Sequence, residues 1–383
     1  MSESIEILER LIAFPTVSRD SNLGLIRYVE GELAALGVAS RLVFSADGAK
    51  ANLFATIGPA GIPGIMLSGH TDVVPVDGQA WSSDPFRLHR QDGLLFGRGS
   101  ADMKGFIACV LTLARRAARE TLSTPLHIAL SHDEEIGCVG VRRLIEMMAG
   151  LPVRPRACVV GEPTSMQVVV AHKGKTALRA HCHGVECHSS LAPDGLNAIH
   201  LATDLIAALR RLQDDIALTG AKDADYEVDH TTLHVGTIRG GTALNIVPKD
   251  CVLDLEIRHL PAEPAGPLVA RLADEARAIE AAAKARFPEA GISLETLSGY
   301  PGLDTPPAAE VVAFVKALTG GNSHGKISFG TEGGLFTENL GIPTVVCGPG
   351  SIVQAHKPDE YVSASQLAEC DRFLSALLGY LRR

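Results

Sequence analysis

Residues 64–78 read GIMLSGHTDVVPVDG. An apolar run ends in the small residues Ser68 and Gly69 and then presents His70 and Asp72. In an extended backbone, residues i and i+2 face the same side. Open α/β sheets hold their ligands at the carboxyl ends of strands. The pattern therefore predicts a strand that delivers His70 as a metal ligand, with Asp72 accepting the other ring proton. A surface histidine beside a turn aspartate would read the same way, so the stretch needs company.

Working outward, four more stretches repeat the arrangement. GRGSADMKGF (97–106) places Asp102 just before a predicted helix, where a helix cap is the plain alternative. LHIALSHDEEIGCVG (126–140) runs an apolar strand into Asp133, Glu134 and Glu135. Three adjacent carboxylates repel one another unless they are solvated or bind cations. ACVVGEPTS (157–165) ends a strand in Gly161 and Glu162, and CGPGSIVQAHKPDEY (347–361) leads from a strand through a glycine turn to His356. His70, Asp102, Glu135, Glu162 and His356 thus share one address, the carboxyl edge of a sheet. Two imidazoles and three carboxylates suit zinc or cobalt, and one carboxylate can bridge two ions.

The wider pattern supports such a sheet. Helical spacing marks 4–13, 23–36, 104–119 and 137–149. Short apolar strands are predicted at 41–44, 52–57, 64–67, 126–131 and 157–160. After about 175 the strands alternate polar and apolar (176–183, 231–238, 251–257, 292–297), with long helices at 197–213 and 264–287. From about 299 the first character returns, with helices at 308–318 and 363–381 and strands at 326–329 and 344–347. The predicted fold is α/β. A catalytic domain (1–175 and 299–383), with a mixed, mostly parallel sheet covered by helices, is interrupted by a smaller α+β two-layer sandwich (176–298).

Composition narrows the functional classes. The 383 residues are 46% hydrophobic and 21% charged, and 35 Lys plus Arg against 44 Asp plus Glu leave a net charge of -9. This excludes a disordered chain and argues against nucleic acid as a partner. No run of about 18 apolar residues predicts a membrane span. The eight cysteines are scattered without a CxxC pair. With an acidic N-terminus unlike a signal peptide, they predict a reduced, cytoplasmic protein.

The segments SGHTDVVP, GRGSADMKG, DEEIG, GEPT and QAHKPDEY, in this order over most of the chain, resemble the dinuclear zinc peptidase and deacylase family. That family includes acetylornithine deacetylase, succinyl-diaminopimelate desuccinylase, aminoacylases and glutamate carboxypeptidases. The resemblance implies two divalent ions, Zn2+ or Co2+. His70, Asp102 and Glu162 would hold one and Asp102, Glu135 and His356 the other, with Asp102 bridging. It implies Glu134 as general base to a metal-bound water and Asp72 as the residue orienting His70. His188, in GVECHSSLAPDG, would stabilise the oxyanion, often from the partner subunit. Asn245 and Arg258 would bind the substrate carboxylate or the oxyanion, and the guanidinium suits a carboxylate.

Gly330, Thr331 and Glu332 fall in a loop expected to line the substrate pocket, with Glu332 a candidate partner for a substrate ammonium. Within the family the likeness is closest to the enzymes that cleave N-acetyl-L-ornithine to L-ornithine and acetate, in arginine biosynthesis. A desuccinylase, an acetylcitrulline deacetylase or a dipeptidase shares the same ligands. The expected partner molecules are a small N-acyl amino acid and a second copy of the chain, joined through the inserted lid domain.

Overall fold

The apolar runs become strands because they are buried on both faces. In the computed structural model, which describes residues 2–383, every residue of Leu126–Ser131, Ile65–His70, Ala157–Val160 and Thr344–Val346 is buried. These four strands lie side by side in that order, all parallel. Ala51–Ile57 and then Ser40–Phe44 extend this centre antiparallel on one side. Val169–His172 pairs antiparallel with Thr344–Val346 on the other, followed by Leu303–Asp304. The sheet is therefore mixed, parallel at its centre and antiparallel towards its edges.

Helices supply the cover. Gly105–Ala117 is almost wholly buried, with Phe106, Ile107, Val110, Leu111 and Leu113 all inside. It packs against Glu3–Ile12 and Ala364–Leu381. Val141–Ala149 packs against Gly333–Leu340 and against Ser40–Phe44 and Ala51–Ile57. Each such leucine or isoleucine contributes about 1.5–3 kcal/mol by burial. Gly333–Leu340 has no counterpart among the sequence expectations, because its two leading glycines mask its helical spacing.

Contacts divide the chain into two compact units. The first runs to Ala171 and continues in Leu303–Lys326 and Thr331–Arg383; the second comprises His172–Gly302 and Ile327–Gly330. The sequence pattern changes at 176 and 299, whereas the contacts change at His172 and Gly302. The second unit is a four-stranded antiparallel sheet in the order Thr232–Gly240, Asp250–His259, Gly174–His183, Gly291–Tyr300. Asp250–His259 alternates between buried and part-exposed residues, as expected of a sheet covered on one face. The helices Ala198–Thr219 and Ala265–Lys284 cover it. Leu178, Leu201, Leu205, Leu253, Leu255 and Leu272 form the core between the layers. Among the described residues no helix is long and apolar enough to cross a membrane.

Candidate metal centre

The parallel strands aim their carboxyl ends at one edge of the first unit, and five side chains meet there. The strand Ile65–His70 extends through His70 itself, beyond the predicted 64–67. Asp102 lies in the turn Ser100–Lys104 before the buried helix, and its peptide bond to Met103 is cis. Gly99 opens this turn at φ 81, where a Cβ would sit 2.7 Å from Val73. Glu162 follows Gly161, where a Cβ would come within 2.0 Å of the Phe106 ring. Only glycine lets the Ala157–Val160 strand end this close to the helix beneath it.

The Asp102 carboxylate divides between the two histidines. Its Oδ1 lies 3.0 Å from His70 Nε2 and its Oδ2 lies 3.2 Å from His356 Nε2. Glu162 Oε1 stands 3.7 Å from His70 Nε2, and Glu135 Oε2 stands 3.1 Å from His356 Nε2. Two triads result, His70–Asp102–Glu162 and Asp102–Glu135–His356, each with its ligand atoms within 4.8 Å of one another.

Electrostatics fits a cationic occupant. Desolvation pushes Glu134 up to about 8 and Glu135 up to about 7, reinforced by the neighbouring carboxylates. Desolvation also raises Glu162 well above the carboxylate range, with Asp102 adding to it. Burial would raise Asp102 as well, but hydrogen bonds to His356 and His70 hold it below its ordinary value. Hydrogen bonds to Asp102 and Glu135 raise His356 to about 10. For His70, burial works against the charge, but Glu162 and Asp102 outweigh it and the imidazole rises well above its ordinary value. Glu135 Oε1 is buried without a hydrogen-bond partner. Closely packed carboxylates, two imidazoles and an orphaned oxygen suit a pair of divalent cations.

The structure differs from the sequence reading at Asp72. His70 Nδ1 lies 2.9 Å from the Asp72 backbone oxygen and 3.7 Å from its carboxylate. The carboxylate instead accepts the Glu134 amide at 3.1 Å, the Glu135 amide at 3.3 Å and the Ser18 hydroxyl at 2.7 Å. The strand ends at His70, and beyond it the Asp72 carbonyl, rather than its side chain, lies within hydrogen-bond reach of the ring. Thr331 and Glu332, expected on a pocket-lining loop, are 0% and 1% exposed. Glu332 directly precedes the helix Gly333–Leu340 and points inward, with Oε2 3.5 Å from Ser68 Oγ. Burial pushes it up to about 7. Its carboxyl is enclosed beside Ser68 rather than displayed on an open loop.

The remaining candidates lie in the second unit. His188 is exposed, its Nδ1 2.8 Å from Ser190 Oγ. The following residue, Ser189, donates its amide to the Asn245 carbonyl at 3.0 Å, so His188 and Asn245 sit on adjoining segments. Arg258 directs Nε to Glu256 Oε1 at 3.0 Å and Nη2 to Glu256 Oε2 at 3.4 Å. A Cβ at Gly330 would meet the Tyr300 ring at 2.1 Å.

Several residues around the centre escaped the sequence reading. Ser18 holds Asp72, and Lys50 donates to both the Ser18 carbonyl and Asp133. Cys138 Sγ lies 3.4 Å from Glu134 Oε1. Ser18 and Lys50 carry no local signal, being 54 and 83 residues from the groups they bind.

Comparison with known proteins agrees with this geometry. Residues 66–380 match the model of Peptidase family M20/M25/M40. The chain is 37% identical to the acetylornithine deacetylase of Shigella sonnei (strain Ss046), over 94% of this chain and 92% of that protein. It is 35% identical to that of Pasteurella multocida (strain Pm70), over 98% and 97%. The fold superposes on the M20 family metallo-carboxypeptidase Sso-CP2 of Sulfolobus solfataricus with a TM-score of 0.79 at 19% identity, covering 99% of each chain.

Proposed function

The chain belongs to peptidase family M20/M25/M40 and is a metal-dependent hydrolase of amide bonds, and from that premise we propose that it deacetylates N-acetyl-L-ornithine to L-ornithine and acetate. The observation that carries the hydrolytic reading is the pair of triads sharing Asp102. The substrate assignment rests on the acetylornithine deacetylases that the chain resembles from end to end. In this reading His70, Asp102 and Glu162 hold one divalent ion, and Asp102, Glu135 and His356 the other. Zinc is the assigned metal and cobalt its substitute.

Ions bound there supply Lewis acidity, which polarises the scissile carbonyl and acidifies water. The protein's own part falls first to Glu134. Its backbone is fixed by Asp72 and its Oε1 touches the Cys138 thiol. It takes the proton of the attacking water and returns it to the departing nitrogen, which leaves as the free α-amine of L-ornithine. The high proton affinity that desolvation confers on Glu134 suits a group that must hold a proton between the two steps.

His188 is assigned to the oxyanion, and Asn245, Arg258 and Gly330 to the substrate, on the family resemblance. Thr331 and Glu332, being buried, act on the site from beneath. A homodimer joined through the second unit, working in the cytoplasm as a step towards arginine, completes the proposal. Sedimentation at working concentration reads the dimer directly, and a 40.4 kDa particle overturns it.

The deciding experiment is a substrate panel on purified enzyme, stripped and reloaded with zinc or cobalt. N-acetyl-L-ornithine is expected to exceed N-succinyl-diaminopimelate, N-acetylcitrulline and dipeptides in kcat/KM by at least about tenfold, the equivalent of about 1.4 kcal/mol. A higher value for any of the others overturns the substrate assignment.

A further inference from the structure

His356 reaches the second triad under unusual conditions. Its side chain is 49% exposed, and its backbone sits at φ 62, in the left-handed region. Packing alone does not hold such a ring opposite Asp102. One layer behind the triad, however, lies a buried polar circuit. The Glu360 carboxylate, 1% exposed, accepts the amides of Ala101 at 3.0 Å and Asp102 at 3.1 Å through Oε1. Its Oε2 accepts Arg98 Nη1 at 2.6 Å.

Arg98 is equally buried. It donates to the Lys357 carbonyl at 3.3 Å and to Gln79 Oε1 at 2.6 Å, with its guanidinium 5.0 Å from the Trp81 ring centre. Gln79 closes the circuit by donating Nε2 to the His356 carbonyl at 3.1 Å. Ser82 tethers the same loop by donating its amide and hydroxyl to Asp359 at 2.8 and 2.7 Å.

None of these residues belongs to either triad. The geometry points to Gln79, Arg98 and Glu360 as positioning residues that clamp the His356 backbone to the Asp102 backbone and so set the bite of the Asp102–Glu135–His356 triad. The inference rests on the metal reading above. Charge explains the choice of residues. One carboxylate accepts two amides on one oxygen and a guanidinium on the other, and the buried anion and cation offset each other. Selectivity follows from topology, because the Gln79 side chain bonds the His356 carbonyl, Arg98 and Trp81, while its backbone amide, which Gln79→Ala keeps, bonds Val76 in the stretch that carries His70.

The test isolates each triad in the full-length protein. Glu162→Ala leaves the Asp102–Glu135–His356 set, and His356→Ala leaves the His70–Asp102–Glu162 set. Co2+ is titrated into each, with and without Gln79→Ala, by calorimetry and visible absorption. Gln79→Ala is expected to weaken Co2+ at least about tenfold in the Glu162→Ala protein, and to leave it within about twofold in the His356→Ala protein. Gln79 is only partly buried, and an unchanged thermal melt excludes general unfolding as the cause. Equal loss in both backgrounds, or no loss in either, overturns the clamp and leaves the metal reading standing. Parents that bind no Co2+ at all overturn both.

Discussion

The Asp72 carboxylate accepts the Glu134 backbone amide at 3.1 Å. It does this while the His70 ring bonds the Asp72 carbonyl, so one residue orients both the imidazole and the turn bearing Glu134 and Glu135. Asp72→Asn keeps the shape, but a side-chain amide offers one acceptor where two amides and a hydroxyl now bond. The expected result is a fall in kcat of about 10–100-fold, with the His70 triad still loaded. Kinetics beside metal analysis separates the two effects, and an unchanged kcat would remove Asp72 from this role.

Glu134 supplies no ligand atom to either triad. Glu134→Gln should therefore retain its metal content while kcat falls by about 10²–10⁴-fold. Loss of the metal along with activity would mean that Glu134 is a ligand instead.

Chelation should abolish turnover, and zinc or cobalt should restore it. The chelated protein should also become less stable as pH rises, and the sign comes from two sources. His356 is raised from 6.5 to about 10, so its stabilisation is full below about 6.5 and is lost as pH rises through about 10. Glu134 and Glu135 are raised from 4.5 to about 8 and about 7. Their ionisation is penalised in the fold, and that penalty grows from about pH 4.5 and levels off above about 8 for Glu134 and about 7 for Glu135. In both cases the native state binds more protons than the unfolded one, so unfolding becomes easier. Thermal melts of chelated protein from about pH 6 to about pH 10 should show a falling Tm. Divalent ions should oppose the fall, since they favour the ionised carboxylates and neutral imidazoles. A Tm that climbs over this range in chelated protein contradicts the assignment.

Gly161→Ala would place a methyl group 2.0 Å from the Phe106 ring. Overpacking of this kind costs about 1–3 kcal/mol or more. The strand end should shift and carry Glu162 with it, lowering both Tm and metal affinity. Adding Phe106→Leu should recover part of the Tm, and a Tm equal to the parent's in the single variant would contradict the close approach.

Much of the first unit is legible in the chain. The run at 157–160 is apolar throughout and that at 126–131 mostly so, which is why their burial on both faces can be read from composition. His70, Glu135 and Glu162 follow for the same reason, standing at or just after the end of such a run, whereas Asp102 precedes a helix and His356 lies beyond a glycine turn. Other elements are too short to carry a period. The three-residue strands His89–Gln91, Leu94–Phe96 and Tyr361–Ser363 form a small sheet that only pairing defines. Arg98 and Glu360 sit inside motifs quoted for Asp102 and His356, yet nothing local shows that they bond across 262 positions.

The sequence by itself determined the mixed α/β design, the alternating inserted sheet and the identity of the polar residues at the strand ends. These depend on side-chain period and on where apolar runs stop, which are local properties. Tertiary structure alone decided that Asp102 turns one oxygen to each histidine, that Asp72 holds the Glu134 turn by its carboxylate, and that Glu332 lies buried. Hydrogen-bond direction and burial depend on what the rest of the chain brings within about 3 Å, and no local spacing encodes that.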